Sequence, residues 1–319
     1  MIVSKCPVRI SFAGGSTDLD SFIQKHGRGA VISFSANLYT YISVFRDTFG
    51  QNFLDEKYNI VYSKKESTKN IEDIQNELVR VVLKKFSCKP LSCWFTADVS
   101  SAGSGLASSS SYILSFIHAI NRLEGLGFSK DQIIKIAWEL EKEFNPLTGF
   151  QDPFGCAVGG LNLHEKEKDG DVISESLDTA LFDEISMFLL PTFINRSSTE
   201  VLEKVKDNVD PRMLYMVDDM FSAISNRDLG SFLDLIHEGW RLKKSASPMI
   251  LGNKKLKDLD GLIESNADIL AHRLIGAGNG GYFLLITKSG ISKTEIESYF
   301  SKMILPVSID YNGLSECKN

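Results

Sequence analysis

The chain has 319 residues, 43% of them hydrophobic, so it is long enough for about two domains with a large buried core. Its 35 basic and 41 acidic side chains give a net charge of −6 with no basic block, which argues against nucleic acid or a membrane as a partner. The five cysteines lack CxxC spacing, which argues against a disulfide framework or a zinc site. The sequence shows neither an apolar leader nor an apolar run of about 18 residues, so we expect a cytoplasmic protein.

The N-terminal segments alternate between strand and helix patterns. Residues 3–12 mix apolar and polar side chains and predict a strand, which ends in a glycine turn at 13–18. β-branched and aromatic residues predict strands within 30–45, and an apolar period near 3.6 predicts a helix at 70–86. A further strand is predicted at 91–99.

The run at 103–111 holds two glycines and five serines directly before an apolar helical pattern. Small residues at the start of a helix leave backbone N–H groups open, and these groups favour a bound anion such as phosphate. The run is not a Walker A motif, because Leu106 rather than a Lys-Ser/Thr pair follows Gly105, and it lacks the third glycine of GxGxxG. A serine-capped helix start without a ligand is the alternative.

The rest of the chain also mixes helices and strands. A helix is predicted at 130–144, followed by a small-residue loop at 146–152 and by small residues at 156–162 that lead into a strand. The charged run at 165–171 predicts a surface hairpin tip near a domain boundary. The later elements predicted in chain order are helices at 197–207, 211–225 and 229–246, a glycine cluster at 276–281, a buried strand at 282–286, a helix at 292–302 and a strand at 304–309. Strands mixed with helices in both halves predict an α+β fold.

Three charged residues are candidates for chemistry. Asp152 is expected in a loop, where it would accept a proton from a substrate hydroxyl or simply cap a turn. Arg9 lies in an apolar strand, where it would stabilise a transferring phosphate or form a structural ion pair. Asp18 follows two glycines and would accept hydrogen bonds from sugar hydroxyls or form an Asx turn. Taken alone, the cluster at 276–281 favours a tight turn over a ligand site.

Three segments in this order resemble the motifs of the GHMP kinase superfamily, which includes galactokinase, homoserine kinase and mevalonate kinase. They lie at 7–18, 103–110 and 274–283. The resemblance implies a two-domain α+β fold with the active site between the domains. It implies a ribosomal protein S5 domain 2-like, ATP-binding N-terminal domain at 1–168 and a ferredoxin-like C-terminal domain at 169–319.

Shorter segments are similar to the bacterial heptose kinases within that superfamily. These segments lie at 11–18, 151–152, 159–162, 195–198 and 242–244. The resemblance implies phosphorylation of D-glycero-D-manno-heptose 7-phosphate on its anomeric hydroxyl, for nucleotide-activated heptose and surface polysaccharide. A related branch that phosphorylates free L-fucose is the alternative within this class. A non-catalytic sensor of sugar or nucleotide is the alternative outside it.

The resemblance also implies roles for individual residues. Asp152 and Arg9 match the catalytic aspartate and the basic residue beside it. Ser109 and Glu141 are the expected Mg²⁺ ligands; the glutamates two positions to either side of Glu141 are alternatives, although spacing of two places them on different helix faces. The ATP phosphates are assigned to Gly103, Ser104, Gly105, Leu106, Ala107, Ser108, Ser109 and Ser110. The sugar phosphate is assigned to Gly14, Gly15, Ser16, Thr17, Asp18, Arg196, Lys243 and Gly278.

The expected partners are therefore ATP, Mg²⁺ and a small sugar phosphate, and the sequence leaves open whether the protein is a homodimer. Arg241 and Lys244 are additional candidates for holding the far phosphate of the sugar. Three residues depart from the family pattern, since Ala107 and Asn279 stand where glycine is usual and Pro153 stands where a polar residue is common. Asn tolerates a positive φ better than most residues, and Ala restricts the loop without excluding phosphate.

Overall fold

The computed structural model describes residues 1–46, 57–99, 103–194, 203 and 209–317. Within these ranges the strands are β1 (Ile2–Ala13), β2 (Arg28–Phe45), β3 (Tyr58–Val61), β4 (Lys65–Thr68), β5 (Ser92–Ala97), β6 (Leu161–Glu167), β7 (Val172–Ser176), β8 (Ile185–Pro191), β9 (Ile269–Leu274), β10 (Tyr282–Lys288), β11 (Leu305–Val307) and β12 (Ser315–Glu316). The α-helices in the same ranges are α1 (Asp20–His26), α2 (Glu77–Lys85), α3 (Ser108–Glu124), α4 (Lys130–Phe144), α5 (Gln151–Ala157), α6 (Arg212–Ser225), α7 (Leu229–Ala246), α8 (Lys254–Glu264) and α9 (Lys293–Phe300). Short 3₁₀ turns lie at Ile71–Asp73 and Ala180–Glu184.

Within the described ranges the larger sheet has eight strands and is organised by β2, which is 18 residues long. Its main path runs β12-β1-β2-β5-β3-β4. The first part of β2, from Arg28 to Phe34, pairs with β6, and the last part, from Thr40 to Phe45, pairs with β5. Strand β2 therefore lies next to both β6, which follows α5 in sequence, and β5, which precedes the serine-glycine run.

The described part of the second sheet has four antiparallel strands in the order β11-β8-β10-β9. In chain order these are strands four, one, three and two of the unit, with α6 to α8 between the first two strands and α9 before the last. This β-α-β-β-α-β arrangement is the ferredoxin-like order, so the predicted α+β fold class is confirmed.

Apolar side chains form three main layers among the described residues. The first fills the space between the larger sheet and α2, α3 and α4. The second lies between the opposite face of that sheet and the second sheet with α6 and α7, and it includes Ile10, Phe34, Phe232 and Leu284, all fully buried. The third lies on the outer face of the second sheet, under α8 and α9. The second layer is thus a core that both halves of the chain share.

The predicted division at 168/169 falls in the turn between β6 and β7. Both β7 and β12 follow this turn in sequence, yet both join the larger sheet. That sheet therefore contains strands from both sides of the predicted division. The division itself stays a prediction.

Several elements differ from the sequence predictions. Residues 151–157 form α5 where a loop and small-residue packing were expected. The helix was not predicted because Pro153 and Gly155 have low helix propensity. Proline is tolerated in the first turn, and a Cβ on Gly155 would lie 2.8 Å from Ser33 Oγ, so close packing requires this glycine. Helices α1 and α8 and strands β3 and β4 were not predicted. The helix predicted at 197–207 lies almost entirely outside the described residues.

None of the helices within the described ranges combines the length and the apolar character that crossing a membrane requires.

Candidate active site

A cavity of about 260 Å³ opens between the two sheets, at the ends of several elements. Its walls come from β1, the loop after β1, the start of α3, the end of α4, the start of α5, α7 and the glycine cluster after β9. Arg9, Asp18, Ser109, Glu141 and Asp152 all line it. Residues that are far apart in sequence therefore meet in one place.

The start of α3 is open to an anion. Its N-cap residue, Ala107, has a left-handed backbone with φ of 61°, and no described side chain caps the helix. The first N–H groups of α3 are consequently left for a ligand, and the helix dipole favours one with negative charge. On the other side, the glycine cluster packs closely against the loop, because a Cβ on Gly281 would overlap the carbonyl oxygen of Ser104.

Arg9 and Asp152 form a pair at the centre of the cavity. The Nε and Nη2 atoms of Arg9 donate to Oδ1 of Asp152 at 3.0 and 2.6 Å. The remaining Nη1 donates to the carbonyl oxygen of Gly105 at 2.7 Å, so the same guanidinium also holds the phosphate-type loop. Arg9 is buried and the Asp152 side chain is 28% exposed, which leaves its second oxygen accessible to a substrate.

Glu141 is a buried carboxylate that faces two serines of the loop. Ser109 Oγ donates to its Oε1 and Ser110 Oγ to its Oε2, each at 2.5 Å. Burial, with a further contribution from the charge of Asp152, raises the pKa of Glu141 to about 7. Glu139 and Glu143 are exposed, so Glu141 is the one of the three glutamates that faces the buried side of α4. The spacing of the three residues alone does not single it out.

The donor set at this point fits a divalent cation. An ionised carboxylate in a buried position needs a positive partner, and the described contacts of Glu141 are hydroxyl groups. Carboxylate and hydroxyl oxygens are ligands suited to Mg²⁺, which also retains waters and binds phosphate oxygens. Ser109 is exposed to the cavity beside this carboxylate, so the two together provide one side of such a site.

Asp18 also lines the cavity and is 1% exposed. Its Oδ2 accepts from the backbone N–H of Gln151 at 3.2 Å, and its Oδ1 accepts from Gln151 Nε2 at 3.0 Å. Burial and then the charge of Asp152 raise the pKa of Asp18 to about 7, against the opposing effects of the Gln151 N–H and Arg9. The loop residue Gly149 packs directly onto this carboxylate, since a Cβ there would overlap Oδ2.

Three residues assigned to the sugar lie outside the cavity lining. The Thr17 hydroxyl donates to the carbonyl oxygens of Gly14 and Ala30, at 2.8 and 2.7 Å, so it shapes the loop instead of facing a ligand. Gly14 itself packs against the Ala30 carbonyl. Gly278 packs against the side chain of Ile250. Gly15 and Ser16 do line the cavity, as expected.

Two of the residues assigned to the ATP phosphates do not line the cavity. Leu106 is fully buried in the apolar layer between the two halves. Ser110 is fully buried, and its hydroxyl donates to Glu141. The other members of the set line the cavity and are Gly103, Ser104, Gly105, Ala107, Ser108 and Ser109.

The basic residues assigned to the far end of the sugar have different placements. Lys243 lines the cavity, where its Nζ donates to the carbonyl oxygen of Leu274 at 2.7 Å. Arg241 and Lys244 face away, and each forms ion pairs with carboxylates of α7 or α8. Arg196 lies outside the described residues.

The cavity also contains polar residues that the sequence did not bring out. Arg273 comes from β9, and Asn145 and Thr148 come from the loop after α4. For Arg273 the signal was present, because an arginine in an apolar strand three residues before Gly276 parallels Arg9, which lies in an apolar strand five residues before Gly14. Asn145 and Thr148 are ordinary loop residues, and nothing in their pattern marks them.

Comparison with known proteins finds a matching family model over part of the chain and a similar curated protein. A model of the GHMP kinases N terminal domain matches residues 73–160, a stretch that includes the serine loop, Glu141 and Asp152. The chain is 27% identical over 301 residues to D-glycero-alpha-D-manno-heptose 7-phosphate kinase of Campylobacter jejuni, covering 88% of each chain.

Solved structures with the same architecture include two bacterial proteins and one archaeal protein. A D-glycero-D-manno-heptose 1-phosphate kinase from Bacteriodes thetaiotaomicron has a TM-score of 0.76 at 21% identity, with 100% of this chain and 99% of that chain covered. A sugar kinase described as putative from Campylobacter jejuni has a TM-score of 0.73 at 21% identity, with 100% and 98% covered. The mevalonate kinase of Methanococcus jannaschii has a TM-score of 0.70 at 14% identity, with 96% and 98% covered. At these sequence identities the structural similarity shows that this chain shares their fold.

Proposed function

We propose that this chain, which carries the N-terminal domain of the GHMP kinases and has the fold of that family, is an ATP-dependent sugar kinase. Its proposed acceptor is D-glycero-D-manno-heptose 7-phosphate and its product the 1,7-bisphosphate, which serves nucleotide-activated heptose and surface polysaccharide. The name of the Campylobacter jejuni relative supports this acceptor. The observation that carries the proposal is the meeting of the open helix start, the Arg9–Asp152 pair and the Glu141 carboxylate in one cavity.

Phosphoryl transfer depends mainly on positioning and on stabilising negative charge. The N–H groups at the start of α3 would bind the phosphates of ATP. Arg9 is held by Asp152 on one side and the loop carbonyl of Gly105 on the other, so its charge is fixed beside both reactants. A charge fixed in this way needs no reorganisation during the reaction.

Asp152 is suited to orient the acceptor and take its proton. Only Oδ1 is used in the described contacts with Arg9, so Oδ2 remains for the sugar hydroxyl. An anomeric hydroxyl is more acidic than an ordinary alcohol, so a carboxylate hydrogen-bonded to an arginine is a sufficient base. Asp18 would accept hydrogen bonds from other sugar hydroxyls once its proton is lost or shared.

Ser109 and Glu141 would hold Mg²⁺, which when bound supplies positive charge that neutralises the phosphate oxygens. This chain's own contribution is to hold the Glu141 carboxylate rigidly against α3 through two serine hydroxyls. A cation there would also remove the cost of ionising a buried acid.

The proposal is tested by ADP release with MgATP over a panel of sugars. The panel contains D-glycero-D-manno-heptose, its 7-phosphate and L-fucose. We expect turnover of the 7-phosphate to exceed that of the other two by at least tenfold. Preferred turnover of L-fucose would contradict the proposed acceptor and indicate a free sugar in its place. If no acceptor in the panel led to ADP release, the kinase assignment would be overturned.

A substitution tests the role of Asp152. Asp152→Asn should lower kcat by about 10³-fold while the KM for ATP changes by less than about threefold, because a general base contributes on the order of 10² to 10⁴. Asp169→Asn in the exposed β6–β7 turn is the matched control and should leave kcat unchanged. Unchanged turnover in Asp152→Asn would remove this residue from the mechanism.

A further inference from the structure

Arg273 is a buried cation that lacks a negatively charged partner among the described residues. It lies on β9, is 4% exposed and lines the cavity. Its Nη1 donates to the carbonyl oxygen of Phe12, the one hydrogen bond found for this side chain in the described ranges. Its Nε is fully buried and has no described partner.

The two arginines of the cavity are therefore in contrasting states. Arg9 is paired with Asp152, whereas no described carboxylate forms an ion pair with Arg273. Burial, and then repulsion from Arg9, lowers the pKa of Arg273 to about 10, so the guanidinium is still charged at neutral pH. Burying a charge without a counter-ion is costly, and buried charges in proteins are normally paired. A ligand that brings negative charge into the cavity would complete this arrangement.

The position of Arg273 indicates which end of the cavity such a ligand occupies. Arg9 reaches the phosphate-type loop through Gly105, while Arg273 reaches Phe12, at the end of β1 directly before the glycine turn that leads to Asp18. On its other side Arg273 lies against α7, where a Cβ on Gly239 would be 4.0 Å from Nη1. Arg273 thus contacts the end of β1 and α7, whereas the serine loop contacts β1 three residues earlier, where the Arg9 N–H donates to the Leu106 carbonyl oxygen.

We propose that Arg273 binds the phosphate group that the acceptor sugar already carries, a role that rests on the proposed function. A guanidinium suits phosphate oxygens, and Nη2, which unlike Nε is not fully buried, is the donor available for such a contact. Arg273 is then a specificity residue, which separates a phosphorylated acceptor from the same sugar without its phosphate.

Kinetics on two acceptors tests this role. In Arg273→Met the KM for heptose 7-phosphate should rise about 30-fold or more, because a charge-assisted hydrogen bond is lost in a desolvated site. The kcat/KM for unphosphorylated heptose and the KM for ATP should change by less than about threefold. Arg122→Met removes an exposed charge from α3 and is the matched control, expected to behave as wild type. Equal losses on both acceptors, or a raised KM for ATP, would place the contact on the transferred phosphate and overturn the proposal.

Binding without turnover separates this inference from the proposed function. Heptose 7-phosphate is titrated calorimetrically into each protein without ATP, and wild type should bind it at least 30-fold more tightly than Arg273→Met. If binding depends on Arg273 but no ADP is released with any sugar, the kinase proposal fails and the phosphate site stands. If ADP is released and Arg273→Met binds the sugar phosphate as wild type does, the site fails and the kinase stands.

Thermal unfolding shows whether Arg273 is merely structural. Removing a buried cation without a partner should leave the melting temperature of the ligand-free protein unchanged or higher. A large fall would indicate a structural role. Arg273→Lys keeps the charge but not the fork, so it should fold and show a KM for heptose 7-phosphate between those of wild type and Arg273→Met. A KM in Arg273→Lys equal to that of wild type would contradict binding through the guanidinium nitrogen.

Discussion

Asp18 should make the ligand-free protein less stable as the pH rises. Its side chain is 1% exposed, and burial raises its pKa from an ordinary value of 3.8 to about 7. In the unfolded chain the carboxyl group loses its proton near pH 4, whereas in the folded protein it keeps the proton until about pH 7. Between these values the folded state binds more protons, so the free energy of unfolding falls with increasing pH.

The magnitude follows from the size of the shift. A shift of about three pKa units at 1.36 kcal/mol per unit gives a contribution of at most about 4 kcal/mol to the free energy of unfolding. This contribution is fully present below pH 4 and is lost above pH 7. Asp18→Asn keeps an acceptor for the Gln151 N–H but cannot ionise. The variant should therefore gain stability relative to wild type as the pH rises from 4 to 8. Glu141 has a shift of the same sign, so the variant keeps part of the wild-type slope.

Urea unfolding at pH 5 and pH 8 measures this difference. Asp20→Asn, two residues along on the surface, is the control, and it should shift stability by less than about 1 kcal/mol at both pH values because it loses only an exposed ion pair. A wild-type minus Asp18→Asn difference that changes by less than about 1 kcal/mol between the two pH values would refute the reasoning. It would mean that water reaches the carboxylate in the folded protein.

Further substitutions test the loop and the cation site. Gly281→Ala should destabilise by about 2–4 kcal/mol and raise the KM for ATP at least tenfold, because φ is 92° and the new Cβ overlaps the Ser104 carbonyl; denaturant unfolding and ATP titration measure both. Ala107→Gly should stabilise by about 1 kcal/mol in the same unfolding assay, because glycine adopts the observed φ of 61° without strain, and a loss of stability would contradict this. Glu141→Gln should raise the Mg²⁺ concentration needed for half-maximal activity at least tenfold, whereas exposed Glu139→Gln should not; equal responses would exclude Glu141 as the ligand.

Much of the architecture followed from the sequence, because patterns of two and 3.6 residues mark strands and helices that bury one face. Helices α4, α6 and α7 and strand β1 lie close to their predicted bounds, and α3 follows the serine-glycine run as expected. Helix α5 was missed because Pro153 and Gly155 oppose a helix in isolation, and only packing against β1 and β2 makes it favourable. Consequently Asp152 projects from a helix start, not from the expected loop.

The candidate site was predictable where a residue type is unusual for its setting. Arg9 and Asp152 stand out as charges among small or apolar neighbours, and the structure brings them together at 2.6 Å. The choice of Glu141 over its neighbours required the burial of one face of α4. Thr17 shows the opposite case, because its position in a glycine turn suggested ligand contact, whereas its hydroxyl satisfies backbone carbonyls. The catalytic and binding roles themselves stay predictions.

The apolar layer between the larger sheet and the second sheet has a consequence for engineering. Side chains such as Ile10 and Phe34 from the N-terminal half are fully buried against Phe232 and Leu284 from the C-terminal half. Cutting the chain in the β6–β7 turn would leave each fragment with this apolar surface bare. Neither half is then a portable module, and a chimaera that exchanges one half with that of a relative must also match the side chains of this shared layer.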